Sequence, residues 1–281
     1  MSEAPADPLG IFRSDLFAGR TAVVTGGGTG LGFAIARAFA ARGANLVIAS
    51  RNSEHLDPAR EKLEQAGAEC LAVETNIREA DQVENLLERS IERFGRVDYL
   101  INNAGGQFPA RPGDISDRGW RSVVDLNLNG TWNMCSRFGP HMVERKSGSI
   151  VNIVHIYSYD RGAPDWVHSG AARAGVVNMT KTLAYHWARH GVTVNALAPG
   201  MIDTTAIYEK EFAYAEADDY TQIALGDIPA RRFGTPDEVA AITLFLCSAA
   251  ARFINGTSVV ADGASYMATW TDFLPPRDSV Q

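Results

Sequence analysis

The chain has 281 residues, of which 46% are hydrophobic and 21% charged, and its formal net charge is −7. This composition is typical of a globular protein and excludes the fibrous, disordered and disulfide-scaffold classes. The negative charge argues against nucleic acid as the main partner, because binding a phosphate backbone requires a basic surface.

The two ends of the chain and its cysteines indicate the cellular setting. The first ten residues, MSEAPADPLG, lack the basic start and the apolar run of a secretory signal, and the last five, RDSVQ, do not form a peroxisomal signal. No apolar stretch approaches the roughly 18 residues of a membrane span. Cys70, Cys135 and Cys247 are odd in number and widely spaced, which excludes a disulfide framework or a metal cluster. We therefore expect a soluble cytoplasmic protein without a metal site.

Short segments rich in valine and isoleucine alternate along the chain with segments of helical periodicity. The predicted strands comprise residues 21–25, 45–49, 69–74, 97–101, 149–154, 193–198 and 258–261. The predicted helices include residues 33–42, 80–94, 120–142, 173–189 and 236–248. Strands buried on both faces of a parallel sheet have this continuous apolar character. The alternation predicts one α/β domain over residues 18–265, a doubly wound parallel sheet with helices on both faces.

A polar lead-in over residues 1–17 precedes this domain, and a tail over residues 266–281 follows it. Residues 204–229 interrupt the alternation and are predicted to form a lid over the substrate, because loops this long inside a compact domain are often functional. Between Thr204 and Ala224 this lid has five acidic residues against one lysine, a net charge of −4. Its aromatic side chains, which suit an apolar or aromatic substrate, are Tyr208, Phe212, Tyr214 and Tyr220.

The first predicted strand runs into the glycine-rich turn TGGGTGLG at residues 25–32, and a helix follows at once. Glycines at such a turn let the backbone approach a pyrophosphate, whose charge is met by the N–H groups at the start of the helix. The pattern is T-G-x-x-x-G-x-G rather than G-x-G-x-x-G, and a merely flexible turn is the alternative. The residues predicted to bind a dinucleotide here are Gly26, Thr29, Gly30, Leu31 and Gly32.

The residues after the second predicted strand distinguish the two nicotinamide dinucleotides. NAD-binding chains carry an acidic residue about 20 positions past the glycines, where it holds the free 2′-hydroxyl of the adenosine ribose. This chain has Ser50, Arg51 and Asn52 there and no acid. The guanidinium of Arg51 suits a 2′-phosphate, so these residues predict NADP(H); a solvated loop arginine is the alternative.

With NNAG at residues 102–105 and Pro199-Gly200 after the sixth predicted strand, the chain resembles the short-chain dehydrogenase/reductase family over about residues 18–265. The resemblance implies a Rossmann-like oxidoreductase, commonly a homotetramer, that binds NAD(H) or NADP(H). Asn76 would stand in place of the family's usual aspartate. The further cofactor residues that it implies are Asn76 and Ile77 at the adenine, Asn103, Ala104 and Gly105 at the ribose, and Pro199, Gly200, Ile202 and Thr204 at the nicotinamide.

The chain departs from the family's usual catalytic set of Asn, Ser, Tyr and Lys. Asn127 fits the first position, but His155 follows Val154 where a Ser-Ser pair is expected, and Y-x-x-x-K has become Ser169-Gly-Ala-Ala-Arg173. A serine hydroxyl is far too weak an acid to replace the tyrosine, and arginine does not lose its proton. Arg173 still suits the nicotinamide ribose and the stabilisation of negative charge. Carbonyl reduction by the usual proton relay is therefore not expected.

The same departure occurs in one subgroup of the family. The segments VHSGAARAG at 167–175, NNAGGQF at 102–108 and TNIR at 75–78 resemble peroxisomal trans-2-enoyl-CoA reductases. The neighbouring 2,4-dienoyl-CoA reductases also carry serine at the tyrosine position, and they take a proton-donating tyrosine from just after the fifth strand, where this chain has Tyr157. The resemblance implies reduction of an activated C=C bond by NADPH.

This chemistry assigns roles to a few side chains. Hydride addition to an α,β-unsaturated thioester builds enolate charge on the carbonyl oxygen, which donors such as Ser169 and Asn127 would stabilise, Asn127 directly or through a water. Tyr157 would protonate the α-carbon, with Tyr159 and His155 as rival donors and a packed aromatic as the alternative. His168 is expected to be a hydrogen-bonded wall residue.

The sequence as a whole predicts an NADPH-dependent reductase of a trans-2-enoyl thioester, with an acyl-CoA as a candidate substrate. The acidic lid would oppose the phosphates of coenzyme A and favours the first alternative, a carbonyl reductase or alcohol dehydrogenase acting on a small uncharged ketone or alcohol. The second alternative is a nucleotide-binding protein without redox chemistry, because the usual Tyr and Lys are missing.

Overall fold

The computed structural model describes residues 7–157, 162–163, 165–204, 225–226 and 228–267. The described residues form one parallel sheet whose strand order is β3-β2-β1-β4-β5-β6-β7. Every predicted strand is present, and its ends lie within two residues of the prediction. The strands are β1 Thr21–Thr25, β2 Asn45–Ser50, β3 Cys70–Glu74, β4 Tyr99–Asn102, β5 Gly148–Ile153, β6 Val192–Pro199 and β7 Ser258–Ala261.

Helices connect the strands and cover both faces of the sheet, which confirms the predicted doubly wound α/β fold. One helix, Ser53–Gln65, was absent from the prediction because it buries few apolar side chains. In chain order the helices are α1 Gly30–Ala40, α2 Ser53–Gln65, α3 Ala80–Phe94, α4 Asp117–Val124, α5 Gly130–Glu144, α6 Val167–Trp187 and α7 Pro236–Cys247.

The core has two layers, one on each side of the sheet. On one side Ile35 and Phe39 of α1 pack with Leu244 of α7, and on the other Leu86 of α3 packs with Phe138 of α5. All five residues of β1 are buried, because the strand lies between these two layers. The continuous apolar character of the strands in the sequence follows from this double burial.

Part of the predicted polar lead-in belongs to the packed structure. Leu9 is 9% exposed and Phe17 only 1%, and both join the core on the α1 side. The ring of Phe17 contacts those of Phe39 and Tyr99 at centroid distances of 4.9 and 5.1 Å. Phe12 and Leu16 pack against the same cluster, so several apolar side chains attach this segment to the domain.

The segment predicted as one helix over residues 120–142 is interrupted. A turn of π-helix, Asp125–Asn129, separates α4 from α5. Within it, Asn127 donates a hydrogen bond from Nδ2 to the Val123 carbonyl oxygen at 3.0 Å. Single π turns inside α-helices are frequent at functional sites, and this one directs Asn127 towards the loop after β4.

β1 and β4 lie side by side in the middle of the sheet, and the chain adds strands outward in opposite directions from them. In open α/β sheets, ligands bind at the carboxyl ends of the strands next to such a reversal. The loops after β1, β4, β5 and β6 meet at this edge. Among the described residues, no helix is long and apolar enough to cross a membrane, and no group of three potential ligands could hold a metal ion.

Candidate active site

A cavity of about 440 Å³ opens at the carboxyl edge of the sheet. It brings together residues from the loops after β1, β4, β5 and β6, as the predicted dinucleotide site requires. Of the predicted catalytic residues, Tyr157 lies on its wall. The predicted cofactor residues that line it are Gly26, Thr29, Gly30, Leu31, Gly32, Asn103, Ala104, Gly105, Pro199, Gly200, Ile202 and Thr204.

The glycine-rich turn is packed so closely that side chains are excluded from it. Gly26 has φ +66°, and a Cβ there would lie 2.8 Å from Asn103 Nδ2. A Cβ on Gly32 would overlap the Gly26 carbonyl oxygen. A Cβ on Gly30 would meet no atom within 4 Å, so this position faces open space at the start of α1. A bare helix N-terminus beside open space fits a dinucleotide pyrophosphate.

Hydrogen bonds tie the turn after β1 to the loop after β4. Thr25 Oγ1 accepts from the backbone N–H groups of Asn103 and Ala104 at 3.0 and 2.9 Å, and Asn103 Nδ2 donates to the Thr25 carbonyl oxygen at 2.9 Å. One hydrogen of the Asn103 amide is therefore used inside the protein. Its role at the site is to fix the two loops that form the cavity wall.

Ser50, Arg51 and Asn52 lie where β2 ends and α2 begins, outside the lining of the cavity. The backbone of His55 in α2 packs against Gly28 of the glycine-rich turn, which places the start of α2 beside that turn. The side chain of Arg51 is exposed. Within the described part of the chain, no carboxylate lies within 4 Å of it.

The predicted adenine residues, Asn76 and Ile77, also lie outside the cavity lining. Ile77 is 4% exposed, and a Cβ on Gly130 of α5 would lie 2.7 Å from its Cδ1. Because this side chain belongs to the core, the prediction that it faces a ligand does not hold for the side chain. The Asn76 side chain is engaged locally: its Oδ1 accepts from Arg78 Nε at 3.2 Å.

The amide of Asn127 is fully used by the backbone. Its Nδ2 donates to the carbonyl oxygens of Gly106 at 2.8 Å and Val123 at 3.0 Å, and its Oδ1 accepts from the Gly106 N–H at 3.2 Å. The residue is 1% exposed and does not line the cavity. Both amide hydrogens are therefore taken, and the predicted direct donation to a substrate oxygen does not fit this geometry. Asn127 instead holds the loop at Gly106.

Arg173 is a buried cation directly beneath that loop. It is 8% exposed, its Nη1 donates to the Ile153 carbonyl oxygen at 2.6 Å, and its Nη2 fills the space that a Cβ on Gly105 would need. Burial lowers the pKa of its guanidinium to about 10, so it stays charged at neutral pH. No carboxylate among the described residues lies within 4 Å of it. A buried cation of this kind favours negative charge that develops nearby.

Ser169 lies one turn before Arg173 on α6, behind the cavity wall. It is 1% exposed and does not line the cavity, whereas His155 does. The two side chains meet, with His155 Nε2 lying 3.3 Å from Ser169 Oγ. His155 Nδ1 accepts the backbone N–H of Tyr157 at 3.2 Å. Burial and, after it, the charge of Arg173 lower the pKa of His155 to about 4, so its imidazole is neutral at pH 7.

Tyr157 is half-buried, and its ring lies edge-on to that of His155 at a centroid distance of 5.9 Å. The rival donor Tyr159 lies outside the described residues, as does most of the predicted lid. The lining also includes Gln107, Met201, Trp166 and Ser265, which sequence reasoning did not select. For both Gln107 and Met201 the signal was present, because Gln107 lies within the NNAGGQF segment and Met201 directly follows Pro199-Gly200.

His168, expected to be a hydrogen-bonded wall residue, is hydrogen-bonded but does not line the cavity. It is fully buried, its ring meets Phe108 edge-on at 4.5 Å, and its Nδ1 accepts the Ser169 N–H at 2.9 Å. Its Nε2 and the indole Nε1 of Trp166 find no hydrogen-bond partner within the described part of the chain. Buried polar groups without partners are rare in proteins, so these two nitrogens require an explanation, and of the two residues Trp166 lines the cavity.

The depressed pKa of His155 makes the stability of the protein depend on pH. An unfolded histidine titrates near 6.5, and the folded group near 4, so between these values the unfolded chain binds more protons and acid favours unfolding. Between pH 7 and pH 4 we expect the wild type to lose about 2 to 3 kcal/mol more stability than His155→Gln. Urea unfolding at the two pH values measures this difference, and equal losses would contradict the environment described for His155.

A comparison with protein-family models matches residues 26–264 to the model described as Enoyl-(Acyl carrier protein) reductase. The peroxisomal 2,4-dienoyl-CoA reductase [(3E)-enoyl-CoA-producing] of Danio rerio is 36% identical over 264 residues, covering 93% of this chain and 86% of that protein. The 3-oxoacyl-[acyl-carrier-protein] reductase of Thermotoga maritima is 34% identical over 248 residues, covering 87% and 97%.

Solved structures give the same result for the fold. A short chain dehydrogenase from Bacillus anthracis superimposes with a TM-score of 0.83 and 37% sequence identity, covering 92% of this chain and all of that chain. The Rossmann fold of this family implies a nicotinamide dinucleotide cofactor.

Proposed function

The chain belongs to the short-chain dehydrogenase/reductase family, and on that basis we propose that it is an NADPH-dependent reductase of the activated C=C bond of a trans-2-enoyl thioester. The observation that carries the proposal is the changed acid–base pair. The position of the family's tyrosine holds Ser169, which is 1% exposed, while Tyr157 lies on the cavity wall and Arg173 is a buried cation.

This arrangement favours a reaction that creates an enolate. A bound nicotinamide dinucleotide supplies hydride for the β-carbon of the substrate, which leaves negative charge on the thioester oxygen. Arg173 stabilises that charge from beneath Gly105, because no carboxylate among the described residues neutralises it. Tyr157 donates the proton to the α-carbon from the cavity wall.

The other members of the predicted catalytic set act through the protein. The side-chain amide of Asn127 makes three hydrogen bonds, two with the backbone of Gly106 and one with the Val123 carbonyl oxygen. This fixes the loop between Arg173 and the cavity. Ser169 contacts His155, and His155 in turn lines the cavity. Both are therefore positioning residues in the proposed reaction.

Arg51 is proposed to select NADPH by pairing with the 2′-phosphate. Its exposed guanidinium, beside the start of α2 and without a carboxylate partner in the described residues, supports this role. We expect Arg51→Ala to raise the dissociation constant for NADPH about 10- to 100-fold while that for NADH changes little. Isothermal titration with both cofactors measures the two constants.

Arg189→Ala provides the matched control, because it removes the same charge from an exposed residue before β6, at the opposite edge of the sheet. It should leave both dissociation constants unchanged. If Arg51→Ala weakens both cofactors equally, Arg51 does not read the 2′-phosphate.

A carbonyl reductase or alcohol dehydrogenase is the second candidate. The acidic residues between Thr204 and Ala224 favour a substrate without phosphate charges. One relative of the chain is described as a 3-oxoacyl-[acyl-carrier-protein] reductase, a name that indicates reduction of a carbonyl group. The changed acid–base pair argues against it, because neither Ser169 nor Arg173 exchanges a proton with an alcohol at neutral pH.

The deciding experiment follows oxidation of NADPH, with NADH in parallel, by the absorbance of the reduced nicotinamide. The substrates are crotonyl-CoA, a medium-chain trans-2-enoyl-CoA, a 2,4-dienoyl-CoA, uncharged enones and uncharged ketones. We expect turnover of the CoA thioesters with a preference for NADPH. Turnover of uncharged ketones alone would support the second candidate. Cofactor binding without turnover of any substrate would indicate a non-catalytic nucleotide-binding protein.

We further propose a homo-oligomer, which the family resemblance predicts to be a tetramer. Large apolar side chains are exposed on α5, on α6 and after α7: Trp132 is 48% exposed, Tyr185 77% and Phe253 fully exposed. Solvent contact of aromatic side chains this large is unfavourable, which supports their burial between copies of the chain.

A further inference from the structure

The strand order and the glycine-rich turn indicate where each half of a dinucleotide fits. The pyrophosphate fits the start of α1, which follows β1 in the middle of the sheet. Arg51 and the start of α2 lie on the β2 side of that point, so the adenosine half belongs there. The nicotinamide half must therefore extend towards the carboxyl ends of β4, β5 and β6, whose loops form the rest of the cavity.

The guanidinium of Arg173 lies behind the wall at this nicotinamide end. Its Nη1 donates to the carbonyl oxygen of Ile153, the last residue of β5, at 2.6 Å. Its Nη2 fills the space that a Cβ on Gly105 would need, in the loop after β4. Ile153 and Gly105 both line the cavity. The charge of Arg173 is therefore in contact with two residues that touch the contents of the cavity.

This positive charge is not neutralised, and its effect reaches the cavity. Within the described part of the chain, no carboxylate lies within 4 Å of the Arg173 guanidinium. His155 lines the cavity, and its pKa is lowered to about 4, by burial first and by the charge of Arg173 second. A further positive charge at this end of the cavity is therefore unfavourable.

The two redox forms of a nicotinamide dinucleotide differ by one such charge. The ring is neutral in the reduced form and positively charged in the oxidised form, and apart from the transferred hydride the two forms have the same atoms. Repulsion by a buried, unpaired cation weakens the binding of the oxidised form and leaves the reduced form unaffected.

We propose that Arg173 makes the cofactor site selective for the reduced nicotinamide dinucleotide over the oxidised one, so that the oxidised product leaves and a reduced molecule replaces it. The proposal goes beyond the proposed function, since it requires the cofactor that the family implies but no particular substrate. In the proposed reduction, the enolate charge offsets that of the oxidised ring until the α-carbon is protonated. From then on only the repulsion by Arg173 remains.

Binding measurements on the wild type test this selectivity without turnover. Isothermal titration gives the dissociation constants of NADPH and NADP⁺. NADH and NAD⁺ are compared in the same way, so the result does not depend on which dinucleotide the chain selects. We expect the reduced form to bind at least about tenfold more tightly than the oxidised form. Equal constants for the two forms would overturn the proposal.

Two replacements of Arg173 separate its charge from its hydrogen bond. Arg173→Gln removes the charge and keeps an N–H donor, whereas Arg173→Lys keeps the charge. We expect the ratio of the oxidised to the reduced dissociation constant to fall about tenfold in Arg173→Gln and to stay within about threefold of the wild type in Arg173→Lys. A general weakening of the site cancels in this ratio, because the two forms share their other contacts. An unchanged ratio in Arg173→Gln, or an equal fall in both variants, would overturn the proposal.

Arg189→Gln is the matched control. It removes the same charge from an exposed residue before β6, at the opposite edge of the sheet, and its ratio should equal that of the wild type. A fall as large as that in Arg173→Gln would assign the selectivity to the net charge of the protein and contradict the role of Arg173. A chain that reduces ketones instead of enoyl thioesters should give the same ratios, so failure of enoyl reduction would affect the proposed function alone.

Discussion

Replacing Gly32 by alanine should abolish cofactor binding, with a rise of at least about 100-fold in the dissociation constants for NADPH and NADH, equivalent to roughly 3 kcal/mol. A Cβ at this position would overlap the Gly26 carbonyl oxygen and lie 2.5 Å from Asn103 Nδ2. The backbone of Gly26 cannot retreat freely, because its N–H donates to the Ala49 carbonyl oxygen at 2.7 Å. The glycine-rich turn and the loop after β4 must therefore move apart, which distorts the part of the cavity where the dinucleotide is expected to bind.

The measurement is the rise in thermal unfolding temperature on adding cofactor, which reports binding to the folded state alone. The wild type should show this rise and Gly32→Ala should not, although its unliganded melt remains cooperative. Gly113→Ala is the matched control, because a Cβ there meets no atom within 4 Å and the residue lies outside the cavity. If cofactor stabilises Gly32→Ala as it does the wild type, the close packing of the turn is not required for binding.

Replacing Tyr157 by phenylalanine should lower kcat for enoyl thioester reduction by about 10²- to 10⁴-fold, the usual contribution of a general acid. The phenol lies on the cavity wall beside His155, and phenylalanine preserves the ring contact with that histidine while removing the hydroxyl. Steady-state kinetics and the cofactor dissociation constant are measured together, and the latter should remain unchanged.

Tyr185→Phe removes a phenol from the same chain at a side chain that is 77% exposed on α6, and its kcat should equal that of the wild type. Tyr159, the rival donor two residues on, is replaced by phenylalanine in a parallel variant. Full activity of Tyr157→Phe would remove Tyr157 from the proposed mechanism, and a loss confined to Tyr159→Phe would transfer the role to that residue.

The strands of the sheet were predictable because each one consists of consecutive buried residues, which are mostly apolar. Both β1 and β5 are buried along their whole length, and a run of valine and isoleucine is the direct result. Helix α2 was missed for the opposite reason: only Leu56, Ala59 and Leu63 are buried, so its periodicity is faint. The single helix predicted over residues 120–142 was wrong at Asn127, since a side-chain hydrogen bond to the Gly106 loop cannot be inferred from periodicity.

For the site, the sequence by itself determined the family, the glycine-rich turn and the change from Y-x-x-x-K to Ser169 and Arg173, because these depend on residue type and spacing. Only the tertiary structure decided which side chains reach the cavity. Ile77 is directed into the core by α5, and the amide of Asn127 is consumed by Gly106 and Val123. His155 instead lies on the wall in front of Ser169. Exposure and hydrogen-bond partners arise from contacts between residues distant in the chain, which no local pattern encodes.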